Sequence, residues 1–69
     1  MVNTRKHLKN RYIGGTEYHV WILYRFGFID RYAVTEENND KACFIGDLQL
    51  CEKYLDHLEE KYILEKYGF

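Results

Sequence analysis

Five apolar side chains near the C-terminus recur at alternating steps of three and four residues, the spacing of one face of an α-helix. They are Leu48, Cys51, Leu55, Leu58 and Tyr62. The spacing predicts a helix over residues 48–67, with Asp47 as its N-cap and Gly68 just beyond its end. Because the chain has only 69 residues, a helix of this length leaves room for a single small domain.

Two runs of β-branched and aromatic residues precede the helix and predict strands. They are residues 17–25 (EYHVWILYR) and residues 28–35 (FIDRYAVT). The residues between them predict a three-residue hairpin loop that ends at Gly27, because glycine adopts the left-handed conformation that such loops require. This loop would place Tyr24 opposite Phe28 and set the register of the hairpin.

Residues 41–45 (KACFI) predict a short third strand, because a lone hairpin under one helix is marginally stable. The alternative is a longer helix that starts at Asp40, since Phe44 extends the helical spacing. Gly46 favours the strand, because a glycine inside a helix costs about 1 kcal/mol relative to alanine.

The predicted fold class is α+β, with a three-stranded antiparallel sheet packed on one C-terminal α-helix and a basic N-terminal arm. We divide the single domain into the arm (residues 1–16), the sheet (17–46) and the helix (47–69). Gly14 and Gly15 would form a flexible joint between the arm and the sheet.

Several protein classes conflict with this composition. No apolar run approaches the roughly 18 residues of a membrane span, and no signal peptide is recognisable, so we expect a cytoplasmic protein without membrane contact. Cys43 and Cys51 lie among apolar neighbours, which favours buried, reduced thiols. The chain has no serine, and its three histidines are scattered. We therefore expect no enzyme, cofactor or metal site, with a Cys–His pair as the remaining catalytic alternative.

Charge is distributed unevenly along the chain. Residues 1–31 contain six Lys or Arg against two Asp or Glu, whereas residues 32–69 contain four against nine. The two halves can neutralise each other within the fold or between two copies. Alternatively, the basic arm meets phosphates, or the acidic helix meets a cationic partner.

A single helix can cover only one face of the predicted sheet, and we expect it to cover the face that carries Val20, Ile22, Tyr24, Phe28, Tyr32 and Val34. The predicted register leaves Trp21, Leu23 and Ile29 on the other face beside His19 and Arg31, with Trp21 directly opposite Arg31. Trp and Arg surrounded by aliphatic side chains are typical of protein-binding hot spots. The alternative is that the arm folds over this face and fills it, through Leu8, Tyr12 and Ile13.

The sequence therefore predicts a small protein-binding module that is not catalytic, comparable in class to inhibitors encoded by phages and other mobile elements. Its partner would be a host protein or a second copy docked on the exposed sheet face. A stripe of helix carboxylates would contact cations of the partner. If the partner binds nucleic acid, these carboxylates could take the place of the phosphates and block its nucleic-acid-binding site. The stripe comprises Glu52, Asp56, Glu59 and Glu60.

The alternative function is a nucleic-acid-binding domain that contacts phosphates through four cations of the arm. They are Arg5, Lys6, Lys9 and Arg11. An arm, a three-stranded sheet and a C-terminal helix resemble double-stranded-RNA-binding domains in topology. The start of the predicted helix, residues 47–52 (DLQLCE), lacks the lysine cluster of those domains.

Overall fold

The computed structural model describes residues 4–68, so residues 1–3 of the predicted arm and Phe69 at the predicted helix end lie outside the described part. The strands pair in chain order in one antiparallel sheet, and a helix follows them. The elements are β1 (Thr4–Ile13), β2 (Thr16–Arg25), β3 (Phe28–Glu36), β4 (Ala42–Gly46) and α1 (Leu48–Tyr67). The predicted α+β class, antiparallel sheet and C-terminal helix are confirmed.

The N-terminal segment is an edge strand of the sheet. Residues 4–13 pair with β2 along their whole length, with one irregularity at Leu8. The predictions of three strands and of a basic arm are therefore wrong for the described residues. The strand was missed because only Ile13 of its ten residues is buried, so its sequence has no apolar alternation. Gly14 and Gly15, both with positive φ, form a tight turn rather than a flexible joint.

The turn between β2 and β3 is one residue shorter than predicted. Arg25 pairs with Phe28, so the turn consists of Phe26 and Gly27 alone. Both have positive φ, 53° and 82°, which is the conformation of a two-residue hairpin turn. A phenylalanine rarely adopts this backbone conformation, which explains why the sequence favoured a longer loop.

A β-bulge at Asp30 shifts the register of the β2–β3 hairpin. Beyond the bulge, Trp21 lies opposite Ala33, and Arg31 lies opposite Leu23. The predicted pairing of Trp21 with Arg31 is wrong. Because the shift between predicted and observed register is two residues over most of the hairpin, the side chains there keep the faces predicted for them.

The third predicted strand is present as β4. The alternative prediction, a helix that starts at Asp40, is wrong. The caps of α1 are as predicted. The Asp47 side chain accepts a hydrogen bond from the Leu50 N–H at 2.8 Å, and Gly68 ends the helix in the left-handed conformation. The Gly68 N–H donates to the Leu64 carbonyl oxygen at 3.0 Å.

The core lies between α1 and one face of the sheet. Its fully buried side chains are Val20 and Val34 from the sheet and Cys51 and Leu55 from the helix. Aromatic rings surround them, including Phe44 and Tyr54, which stack with their centroids 5.0 Å apart. The predicted helical stripe and the predicted inner face of the sheet thus meet in one core.

The helix and the sheet are offset along the long axis of the molecule. α1 begins at the end of β4, level with Tyr32. It runs towards the β1–β2 turn, where Tyr62 lies against Gly14. The β2–β3 turn, at the opposite end, lies beyond both β4 and the start of the helix. The molecule is accordingly 49 Å long but only 23 Å and 16 Å in its other dimensions. We call residues 23–31 the hairpin end.

Within residues 4–68, no helix combines the length and the apolar character needed to cross a membrane.

Candidate functional site

Charged side chains of β1 and α1 form an ion-pair network across the edge of the core. The Arg11 guanidinium lies 2.7 Å from an Asp56 carboxylate oxygen, 3.7 Å from Glu59 and 3.8 Å from Glu52. The Lys9 ammonium lies 2.5 Å from Glu52. Two cations of the basic half of the chain thus pair with three carboxylates of the acidic half within the fold, which is one of the alternatives that the sequence left open.

This network uses residues that both predicted functions required. Lys9 and Arg11 belong to the predicted nucleic-acid site, and three of the four carboxylates of the predicted acidic stripe contact them. Oxygen Oε1 of Glu52 is buried and accepts no hydrogen bond in the described part of the chain, with the Arg11 guanidinium as its nearby cation. The network therefore contributes to packing β1 against α1.

Trp21 is the centre of the sheet face that α1 does not cover. Its indole N–H donates to the Thr35 hydroxyl at 2.9 Å, which fixes the ring over β3. The Arg5 guanidinium lies 4.5 Å from the centroid of the indole ring, within cation–π distance. The His7 ring lies edge-on to the indole at 5.2 Å. The cation beside Trp21 is thus Arg5 of β1. The sequence had predicted Arg31 in this position, which is wrong.

A hydrogen-bonded group of side chains flanks the indole on β1 and β2. Oxygen Oδ1 of Asn10 contacts a ring nitrogen of His7 and lies 2.8 Å from Nδ1 of His19. The Asn10 amide donates to the Glu17 carboxylate at 2.8 Å, and Nε2 of His19 lies 3.7 Å from the same carboxylate. These contacts hold both imidazole rings against the sheet beside Trp21.

The sequence placed His19 on this face but missed His7 and Asn10, because their segment was not recognised as a strand. In the described residues, no group of three or more His, Cys, Asp or Glu side chains is arranged to hold a metal ion.

The bulge exchanges two apolar residues of the hairpin end between the faces of the sheet. Ile29 pairs with Tyr24 and thus lies on the helix side, whereas Phe28 pairs with Arg25 and lies on the uncovered side with Leu23. The sequence had predicted the reverse for Ile29 and Phe28. Phe28 is 77% exposed and Ile29 is 54% exposed, so both are available for contact with another molecule.

The hairpin end carries excess positive charge. Arg31 pairs with Asp30 at 3.3 Å. Arg5, Lys6 and Arg25 have no carboxylate within 4.0 Å among the described residues. Arg5 pairs with Leu23 and Arg25 with Phe28, so these two cations lie beside apolar residues of the hairpin end on the uncovered face.

A shallow cavity of about 170 Å³ lies at the opposite end of the same face, next to the β3–β4 loop. Arg5, His19 and Trp21 line its sheet side, and residues 36 and 38–40 line its loop side. The loop contributes Asp40 and two asparagines, and the Glu17 carboxylate lies beside His19 on the same face. The uncovered face is therefore cationic and apolar at the hairpin end and acidic near the loop.

The two thiols occupy different environments. Cys51 is fully buried in the core, as predicted. The prediction of burial is wrong for Cys43, which is exposed on the edge strand and donates a hydrogen bond to the Val34 carbonyl oxygen at 3.3 Å. Burial raises the pKa of the Cys51 thiol above its ordinary value.

We expect one thiol of the folded protein, Cys43, to react with iodoacetamide at pH 8 and Cys51 to remain unmodified. Burial excludes the reagent from Cys51, and the raised pKa lowers its thiolate fraction. Mass spectrometry of the intact protein should show one adduct under native conditions and two in 6 M guanidinium chloride, the denaturant control. Two adducts at equal rates in the folded protein would contradict the assigned burial of Cys51.

Comparisons with protein-family models, curated protein sequences and solved structures gave no match.

Proposed function

We propose that this chain is a protein-binding module, without catalytic activity, that docks through the uncovered face of its sheet. The docking face consists of Arg5, Trp21, Leu23, Phe28 and Arg31. The observation that carries the proposal is the partly buried indole of Trp21 with the Arg5 guanidinium 4.5 Å from its centroid. Aromatic and arginine side chains of this kind supply most of the binding energy in protein interfaces.

The proposed partner is a protein surface that carries carboxylates beside apolar groups. Arg5 and Arg25 lack a carboxylate within 4.0 Å among the described residues, while the adjacent Phe28 ring is largely exposed. An acidic partner would neutralise these cations and cover the ring in the same contact. Such charge complementarity mainly increases the association rate and the specificity of docking.

The charge pattern favours a protein partner over nucleic acid. Lys9 and Arg11, two of the four cations required for phosphate contacts, are engaged by carboxylates of α1. A nucleic-acid backbone that followed the docking face towards the loop would approach the carboxylates of Glu17 and Asp40, which repel phosphates.

The same ion pairs weaken the idea that helix carboxylates imitate phosphates. Glu52, Asp56 and Glu59 already contact cations of β1, so only Glu60 of the predicted stripe remains outside the network in the described structure. An inhibitor of a host protein, the biological class suggested by the sequence, would act through the docking face instead.

We expect replacement of Trp21 or Arg5 by alanine to weaken partner binding by about tenfold or more without unfolding the chain. The wild-type protein serves as bait in an extract of its host, in parallel with the Trp21→Ala and Arg5→Ala variants. Tyr67→Ala is the matched control, because Tyr67 is an exposed aromatic residue at the far end of α1. Each protein that the wild type and the control retain is then purified, and its dissociation constant is measured by calorimetry.

The proposal predicts that at least one purified partner loses about tenfold or more in affinity with either variant, since hot-spot residues contribute about 2 kcal/mol or more. Circular dichroism must show that both variants remain folded. A labelled single-stranded RNA and a labelled duplex DNA provide the opposing test. Tight nucleic-acid binding that weakens steeply with salt, or partner binding unchanged in both variants, would contradict the proposal.

A further inference from the structure

A β-bulge in β1 brings three side chains that can bind metal ions together on the uncovered face. His7 lies opposite Trp21, and Asn10 lies opposite His19, while Leu8 is an extra residue of β1 between these pairs. Residues three positions apart on a regular strand point to opposite faces of a sheet, so His7 and Asn10 share one face only because of the bulge. Bulges often aim side chains at functional sites in this way.

The donor atoms of these three side chains converge. Nε2 of His7 lies 3.4 Å from Nδ1 of His19, and Oδ1 of Asn10 is within hydrogen-bond distance of both nitrogens. In a tetrahedral metal site with bonds of about 2.0–2.1 Å, neighbouring donor atoms lie about 3.3–3.4 Å apart. The two imidazole nitrogens therefore have the separation that a shared metal ion requires. Because the histidines are 12 positions apart in the chain, the sequence alone does not reveal this contact.

We propose that His7, His19 and Asn10 bind a divalent transition-metal ion of the zinc, nickel and copper group. Imidazole nitrogens favour these ions over Mg²⁺ and Ca²⁺, which prefer sets of oxygen ligands. The Asn10 amide oxygen stands in place of a third His, Cys, Asp or Glu ligand, which the described residues do not supply here. His7 and Asn10 are exposed to solvent, so water can complete the coordination.

The Glu17 carboxylate orients two of the three ligands. It accepts a hydrogen bond from the Asn10 amide nitrogen at 2.8 Å, which turns Oδ1 of Asn10 towards the histidines. It also lies 3.7 Å from Nε2 of His19, the ring nitrogen that does not face the metal. A neutral imidazole carries one proton, so a metal ion on Nδ1 leaves that proton on Nε2, facing the carboxylate. Carboxylates in this position are typical of histidine ligands in metal sites.

The affinity of this site should be moderate. Structural zinc sites have four protein ligands, often thiolates, whereas this set has two imidazoles and one amide oxygen. The Arg5 guanidinium, beside Trp21 on the same face, also repels a second positive charge. We therefore expect a dissociation constant of about 1–100 µM for Zn²⁺, weaker than that of structural zinc sites.

Calorimetric titration of the full chain with Zn²⁺ tests the proposal. We expect one ion per chain and a loss of affinity of about tenfold or more in His7→Ala and in His19→Ala. His57→Ala is the matched control, because His57 is the third histidine of the chain and is exposed on α1. Arg5→Ala should bind Zn²⁺ at least as tightly as the wild type, since it removes a cation. Its weaker docking then separates the metal site from the proposed function.

The fluorescence of Trp21 provides a second measurement that does not depend on a variant. Trp21 is the only tryptophan of the chain, and its ring centroid lies 5.2 Å from that of His7. Because the partly filled d shell of Ni²⁺ accepts excitation energy from a nearby indole, Ni²⁺ at this site should quench the emission until the site is saturated. EDTA should restore the emission.

Three results overturn the proposal, with circular dichroism as the check that each variant remains folded. The first is the absence of saturable binding of Zn²⁺ and Ni²⁺ up to about 1 mM. The second is Zn²⁺ binding that both histidine variants leave unchanged. The third is Zn²⁺ binding that Cys43→Ala removes, because the exposed thiol of Cys43 would then be the ligand.

Discussion

Replacing Leu55 with alanine should remove most of the stability of this domain. Leu55 is fully buried between α1 and the sheet, in one cluster with Val20, Val34 and Cys51. Truncation of a buried leucine costs about 2–5 kcal/mol, because it removes apolar contacts and leaves a cavity. A domain of this size rarely has more than about 3–5 kcal/mol of folding free energy, so the variant should be largely unfolded at 25 °C.

The measurement is urea denaturation followed by circular dichroism, with Leu64→Ala as the matched control. Leu64 belongs to the same helix but is 43% exposed, and the helix propensities of leucine and alanine are similar. We expect the control to lose about 0.5 kcal/mol or less of its free energy of unfolding. Equal losses in the two variants would show that the helical stripe does not form the core as described.

The helix and its buried stripe were predictable because their signals are local. Spacing by three and four residues defines one face of a helix wherever the helix lies, and the caps at Asp47 and Gly68 depend on neighbouring residues alone. The stripe includes Cys51 and Leu55, the two helix residues that the structure buries fully. Local rules thus suffice for half of the core.

The first strand was not predictable by the same rules. Its apolar pattern is absent because Lys9 and Arg11 of β1 pack against α1 through ion pairs with residues that follow them by more than 40 positions. Gly14 and Gly15 between two segments are typical of a two-residue hairpin turn, and this signal could have revealed the strand. No local pattern marked the bulge at Asp30.

In the candidate site, too, features set by local sequence were predictable and features set by strand pairing were not. Trp21 was placed correctly on the uncovered face, because alternation along β2 decides the face of each side chain. Its cation was assigned to Arg31, whereas the structure supplies Arg5 from the strand that was missed. The contacts of His7 and Asn10 depend on the pairing of β1 with β2. They could not be predicted because β1 was not recognised as a strand.

Gly14→Ala should destabilise the fold much more than Gly15→Ala, although both glycines have positive φ, 60° and 84°. A Cβ atom on Gly14 would lie 2.7 Å from two ring carbons of Tyr62, whereas nothing lies within 4 Å of one on Gly15. Either alanine costs about 1–2 kcal/mol of backbone strain. At Gly14, displacement of the Tyr62 ring from the core should add about 1–3 kcal/mol.

Chemical denaturation of both variants measures this difference, and a double-mutant cycle with Tyr62→Ala assigns its cause. Because the smaller side chain leaves space for the added Cβ, Gly14→Ala in the Tyr62→Ala background should cost only the backbone strain that Gly15→Ala costs. The tyrosine ring would then be the contact that ties the end of α1 to the β1–β2 turn. If Gly14→Ala costs the same with and without the tyrosine ring, the close packing of the helix against this turn is wrong.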